Sequence, residues 1–136
     1  MEDLIGSASL FFFGDDLDPS QVTDVLGTTP SDSWKAGEIV VSKRGQQFGP
    51  KKTGMWTFRS SLNSGDVNEL IDSIFSQAGL KYRRISEIKN LDSAFLLIHT
   101  FVDPGKSIEM DLGCDIIRKL AEENIGLHIT VSSDDT

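Results

Sequence analysis

The stretch ASLFFFGDDLDPSQVTDVLG, residues 8 to 27, decides the fold, because it joins a strand to a helix with the punctuation of both intact. Ala8 to Phe13 is short, aromatic and continuously apolar, the pattern of a central strand covered on both faces, and Gly14 ends it. The residues after Gly14 predict a helix. Asp18 is its N-cap, Pro19 suits the first helical position, Gln21 completes a capping box and Gly27 terminates it. Val22, Val25 and Leu26 supply one apolar stripe, with Leu17 stapled onto Val22.

Working outward, Thr28 to Ser33 is polar and proline-broken, a loop that delivers Trp34. The β-branched centre Ile39-Val40-Val41 predicts a short strand over Glu38 to Ser42. Lys43 to Thr53 carries two glycines, a proline and four bases, with Phe48 as its one large apolar residue. That is long against the roughly 2 to 5 residues of an ordinary hairpin loop, and long loops often carry function. Gly54 to Ser61 alternates as a strand, with Trp56 and Phe58 on one face and Thr57 and Arg59 on the other.

A second helix begins at Asp66, which with Glu69 offers a capping box. Val67, Leu70, Ile71, Ile74, Phe75 and Ala78 repeat at helical spacing, and Gly79 with Leu80 has the form of a Schellman stop. KYRRISEIKN predicts a short helix with Tyr82, Ile85 and Ile88 inward and Arg83, Arg84 and Lys89 outward. Ser93 to Val102 is an apolar strand closed by the turn Asp103-Pro104-Gly105-Lys106. A helix over Asp111 to Asn124 turns Leu112, Ile116, Ile117, Leu120 and Ala121 inward, with Gly126 as its stop. The last strand has Leu127, Ile129 and Val131 inward, and the terminal Ser133 to Thr136 should fray. The expected fold is α+β: one domain over residues 1–136, a mostly antiparallel sheet with helices packed on it, in two βαβ-like halves resembling a ferredoxin-like arrangement.

Composition narrows the function classes. A hydrophobic fraction of 38% against 25% charged residues describes a chain able to bury a core, and at 136 residues it needs no metal or disulfide to fold. The formal charge of -8 repels a phosphate backbone, so nucleic acid is disfavoured as a partner. The single cysteine, Cys114, points to a reducing compartment. No run approaches the roughly 18 apolar residues of a membrane span, and MEDLIGSASLFFFG lacks the basic start of a signal peptide. The expectation is a cytoplasmic protein without membrane contact. Charge is also uneven: residues 1–34 hold seven acids and no Lys or Arg, residues 35–89 hold ten bases against five acids, and residues 90–136 hold nine acids against three bases.

Gly14 to Pro19, Leu26-Gly27, Trp34 to Gly37, Thr53 to Trp56 and Ile116 to Ile129 together resemble the bacterial family catalogued as domain of unknown function 4279. The resemblance spans nearly the whole chain. It implies a single α+β domain, and its motifs are caps, turns and core aromatics that assign no activity.

No constellation of catalytic grade stands out. Asp15, Asp16 and Asp18 lack the spacing of a calcium loop and read better as a turn that favours the helix start. His99 and His128 lie in separate strands and could face each other, but without a third patterned ligand they make a poor zinc site. His99 reads as a hydrogen-bonded core residue, His128 as solvated and Cys114 as a small helix-core residue. There remain Trp34, Lys35, Lys43, Arg44, Lys51, Lys52 and Arg59, aromatic and basic residues able to clamp an anion or meet a partner. GQQFGPKKT matches neither P-loop nor dinucleotide spacing, so no cofactor is expected. The leading expectation is a non-catalytic protein-interaction module whose partner is another protein, with homo-oligomers allowed. Its concrete form is an immunity-type protein that binds a basic partner. The alternative is a domain that binds or acts on an anionic small molecule through Trp34 and the loop 43–52.

Overall fold

The computed structural model describes residues 5–39, 41–47, 49–60, 66–80 and 83–133. The chain runs β1 (Ile5–Gly14), α1 (Pro19–Leu26), β2 (Asp32–Trp34), β3 (Gly54–Arg59), α2 (Val67–Gln77), a 3-10 turn (Ile85–Glu87), β4 (Ser93–Val102), α3 (Cys114–Glu122) and β5 (Gly126–Ser133). The strands form one sheet in the order β2-β3-β1-β4-β5. β1 pairs antiparallel with both β3 and β4, β2 pairs antiparallel with β3, and β5 lies parallel to β4. An α+β chain with a mostly antiparallel sheet is therefore what the residues build. The ferredoxin-like halves are not reproduced. β1 lies directly against β3 and antiparallel to it, so only β4-α3-β5 is a parallel strand-helix-strand unit.

Local signals set the helices as expected, with three exceptions. Asp18 caps α1 by accepting from the Ser20 amide, Pro19 opens the helix, and Gly27 leaves it at φ 68°. Gln21 does not complete a capping box. Its side chain reaches the 3-10 turn, donating to the Glu87 carbonyl and accepting from the Lys89 amide. Asp66 caps α2, and the Leu80 amide donates back to the Phe75 carbonyl at 3.0 Å, the six-to-one bond of a Schellman stop with Gly79 at φ 83°. α3 closes with the same geometry, but Asn124 at φ 57° takes the left-handed position, and Gly126 instead opens β5. The short helix expected near Arg84 contracts to the 3-10 turn, with Ile85 and Ile88 buried and Arg83, Arg84 and Lys89 exposed.

All three helices lie on one side of the sheet. A single cluster joins Ala8, Leu10 and Phe12 of β1, Trp56 of β3, and Leu96 and Ile98 of β4 to Val22 and Leu26 of α1, Leu70, Ile74 and Phe75 of α2, and Leu120 of α3. The Phe12 and Trp56 rings stack at 5.5 Å, and the Trp56 indole N–H donates to the Thr23 hydroxyl of α1 at 3.1 Å. β1 is thus central in the sheet but covered on one face only, with Phe11 and Phe13 half-buried on the other.

Three further expectations need correction. The described residues of the span Glu38 to Ser42 belong to no strand of the sheet. Ile39 and Val41 are exposed on an excursion, and the strand beside β3 is Asp32–Trp34, which overlaps the expected loop. β-branched residues favour a pleated, half-buried surface, and here they have none to lie on. Ile117 and Ala121 of α3 are exposed, and Ile129 and Val131 of β5, though on the helix side of the sheet as expected, are exposed too, because among the described residues no strand lies beyond β5. The inward placement of Tyr82, the strand centre Val40, Phe48, the strand end Ser61 and the tail from Asp134 lie outside the described residues. Among the described residues no helix is long and apolar enough to cross a membrane.

Two substitutions test this packing. Trp56→Ala should cost about 3 to 5 kcal/mol in denaturant unfolding, since the ring is fully buried between β1 and α1. Gly79→Ala should cost on the order of 2 kcal/mol, because its backbone is left-handed and a Cβ would stand 2.3 Å from the Leu26 carbonyl oxygen at the end of α1.

Candidate functional site

The basic and aromatic residues singled out by sequence do not assemble into one site. Trp34 ends β2, where its indole N–H donates to the Thr53 carbonyl at 3.1 Å and the Lys51 ammonium lies 4.0 Å from the ring centroid. The segment between them folds back on itself: Gly37 donates to the Lys51 carbonyl, Lys51 to the Glu38 carbonyl, and Val41 bridges Gln47. Lys43 and Arg44 therefore sit at the exposed tip of an excursion, beyond the closure that holds Lys51 over Trp34. Lys52 is exposed, and Arg59 ends β3 with its amide on the Ser31 hydroxyl.

Lys35 is engaged by acids. Its ammonium is 3.9 Å from the Asp18 carboxylate and its amide donates to the Glu38 carboxylate. A hollow of about 250 Å³ beside Trp34 is lined by Pro19, Ser20, Ser33, Trp34, Lys35 and Glu38. The adjoining one sets Asp15, Asp16 and Asp18 around Lys35. An anion placed against Trp34 would meet more carboxylate than ammonium, and the hollow is smaller than the roughly 300 to 1,000 Å³ of ordinary ligand sites.

The feature that sequence reading passed over is the open face of the sheet. Strand alternation and register place Phe11, Phe13, Phe95, Leu97, His99, Phe101 and His128 on the side away from the helices. The Phe11 and Phe95 rings stack at 5.0 Å, Phe13 lies 5.8 Å from Phe95, and His128 is 6.2 Å beyond. Register continues the row from Phe13 through buried Met55 to Trp34. Among the described strand residues on this face, Asp32 and Arg59 alone carry a formal charge. A signal was present: Ser7 and Ser9 alternate with Ala8 and Leu10 ahead of the phenylalanines, so the odd positions of β1 belong to a wetter face.

His99 is accordingly not a core residue. It is half-buried on the open face, shares a hydrogen bond with the Thr130 hydroxyl, and meets the Phe101 ring edge-on at 4.6 Å. His128 is exposed. Cys114, expected inside the third helix, is its exposed first residue. It lines a hollow of about 520 Å³ with Asn68, Glu69, Asp72, Gly113, Asp115 and Ile116, next to a second hollow bearing Asp66, Glu109 and Asp111. Acidic charge thus gathers where α2 and α3 begin. Among the described residues no three His, Cys, Asp or Glu side chains converge as metal ligands.

The family model described as Domain of unknown function (DUF4279) matches residues 4–134. No curated protein and no solved structure matches the chain.

Because Phe95 is only half-buried, Phe95→Thr, which puts a β-branched residue of high strand preference in its place, should cost about 1 to 2 kcal/mol, clearly less than Trp56→Ala. The same unfolding measurement checks it.

Proposed function

We propose that this chain, which belongs to the DUF4279 family of unknown function, is a non-catalytic protein-interaction module that holds a partner protein on the open face of its sheet. The observation that carries the reading is the stacked cluster Phe11, Phe13 and Phe95, left half-exposed on a face that no helix covers among the described residues. Interface centres are enriched in aromatic residues and depleted in charge, with polar groups around the rim. This face has that composition: aromatics at the centre, with Arg59, Asp32 and the Trp34–Lys51 pair at the β2–β3 end.

The formal charge of -8 favours a basic partner, since opposite charge speeds encounter without adding contacts. An immunity-type protein that blocks a basic toxin is the concrete version, and the lone thiol suits the cytoplasm. Single-stranded nucleic acid also stacks on aromatic platforms, but it wants a positively charged groove, and this face offers Arg59 against Asp32. The alternative, an anionic small molecule at Trp34, is weakened by the carboxylates around Lys35.

Affinity capture from the source cell at low salt tests the reading. The unaltered chain should recover a protein partner, and a folded Phe11→Thr/Phe95→Thr variant should lose it. Equal recovery by both would remove the open face from the function.

A further inference from the structure

The two edges of the sheet are built differently. One is β2, three residues long and continued by an excursion rich in lysine and glycine. The other is β5, eight residues, GLHITVSS, whose residues 126–132 pair with β4 on one side and, among the described residues, with no strand on the other. Edge strands are ordinarily blunted by shortness, charge, proline or a bulge. β5 uses none of these. It carries no charged residue and no proline, and its register against β4 runs unbroken from Phe95 opposite Gly126 to Val102 opposite Ser133. Apolar side chains stand exposed along the same margin on the helix side, Ile129 at 37% and Val131 at 47%, and α3, which packs on β5, exposes Ile117 at 50% on its side away from Lys119, whose ammonium lies over Phe75 of α2.

We propose that β5 pairs antiparallel with β5 of a second copy of this chain, joining two five-stranded sheets into one across a two-fold axis. A row of outward amides and carbonyls is satisfied by another strand, and a two-fold axis normal to the sheet keeps the helices of both copies on one side. With the axis at Thr130, Ile129 of each copy lies opposite Val131 of the other, and the two α3 helices close over the seam with Ile117 between them. Thr130 and Ser132 fall on the opposite, wetter side. A lone extended peptide would satisfy the same backbone but leave Ile117, one layer above the strand, uncovered. A second copy covers it.

Charge and area agree with this occupant. A chain of net charge -8 can dock on itself only where the contact is locally neutral, and β5 is uncharged. The exposed side of α3 carries both signs, with Arg118 paired to Asp115 at 3.1 Å and Glu122 beyond. Eight strand residues span about 27 Å, and a sheet plus a helix layer is about 20 Å deep, so each copy contributes on the order of 500 Å². The total of about 1,000 Å² stands at the threshold of specific interfaces, which makes the dimer weak and concentration-dependent. The seam shares none of the phenylalanines Phe11, Phe13 and Phe95 with the open face, so it stands apart from the proposed function.

Sedimentation of the full chain from about 5 to 500 μM tests it, with weight-average mass rising from one chain toward two. Salt should strengthen the association by screening the net negative charge. Val131→Lys and, separately, Ile117→Glu should each weaken the dimer at least about tenfold while leaving thermal unfolding at low concentration near that of the parent. Ile39→Lys, at an exposed apolar residue far along the excursion, and Phe95→Thr should leave the mass rise intact. A monomer at every concentration, a dimer that survives both seam variants, or one abolished by Phe95→Thr or Ile39→Lys would overturn the proposal.

Discussion

The stacked pair Phe12 and Trp56, with the Trp56 indole N–H on the Thr23 hydroxyl, is the constraint on which the rest of the structure depends. It ties the central strand to β3 and both to α1. Removing so large a ring from water is worth a few kcal/mol, and its one polar atom is satisfied at the helix. α2 then lies beside α1 on the same side. Gly79 brings its end within a methyl group of the Leu26 carbonyl, and the Thr28 hydroxyl reaches the Leu26 and Gln77 carbonyls.

Covering one face leaves the other without cover, and that asymmetry is where functional possibility enters. The even positions of β1, and those of β4 from Ala94 to Thr100, are buried, while the odd positions hold Phe11, Phe13, Phe95, Leu97 and His99 at intermediate exposure and Phe101 exposed. Acidic groups collect away from this face, around Lys35 and at the starts of α2 and α3. A protein acidic by sum therefore presents a nearly neutral aromatic surface on one side. The basic excursion, by contrast, is divided: Lys51 is held over Trp34, Lys35 is engaged by Asp18 and Glu38, and Lys43 and Arg44 are carried out to a solvated tip.

Several elements are legible in the residues alone. β4 spans Ser93–Val102 as its composition predicts, and Asp18, Gly27, Asp66, Gly79 and Leu80 take the capping positions that their chemistry specifies. These are short-range statements, decided by dihedral preference and by hydrogen bonds spanning a few residues. Of the site residues, the Trp34 neighbourhood is legible only in part. Nothing in the spacing says that Lys51 returns to Trp34, or that Asp18 reaches Lys35 from the far end of a loop.

Sequence by itself determined an α+β chain, the existence of its three helices, the caps that bound most of them and the central place of β1. The tertiary structure decided which side of each strand is covered, that Asp32–Trp34 rather than Glu38 to Ser42 borders β3, that Cys114 and Ile117 face solvent, and that β5 is an edge. The physical reason is common to all four. An apolar run reports how strongly residues avoid water, whereas coverage depends on which distant element arrives to exclude it. For Phe11 and Phe95 none arrives.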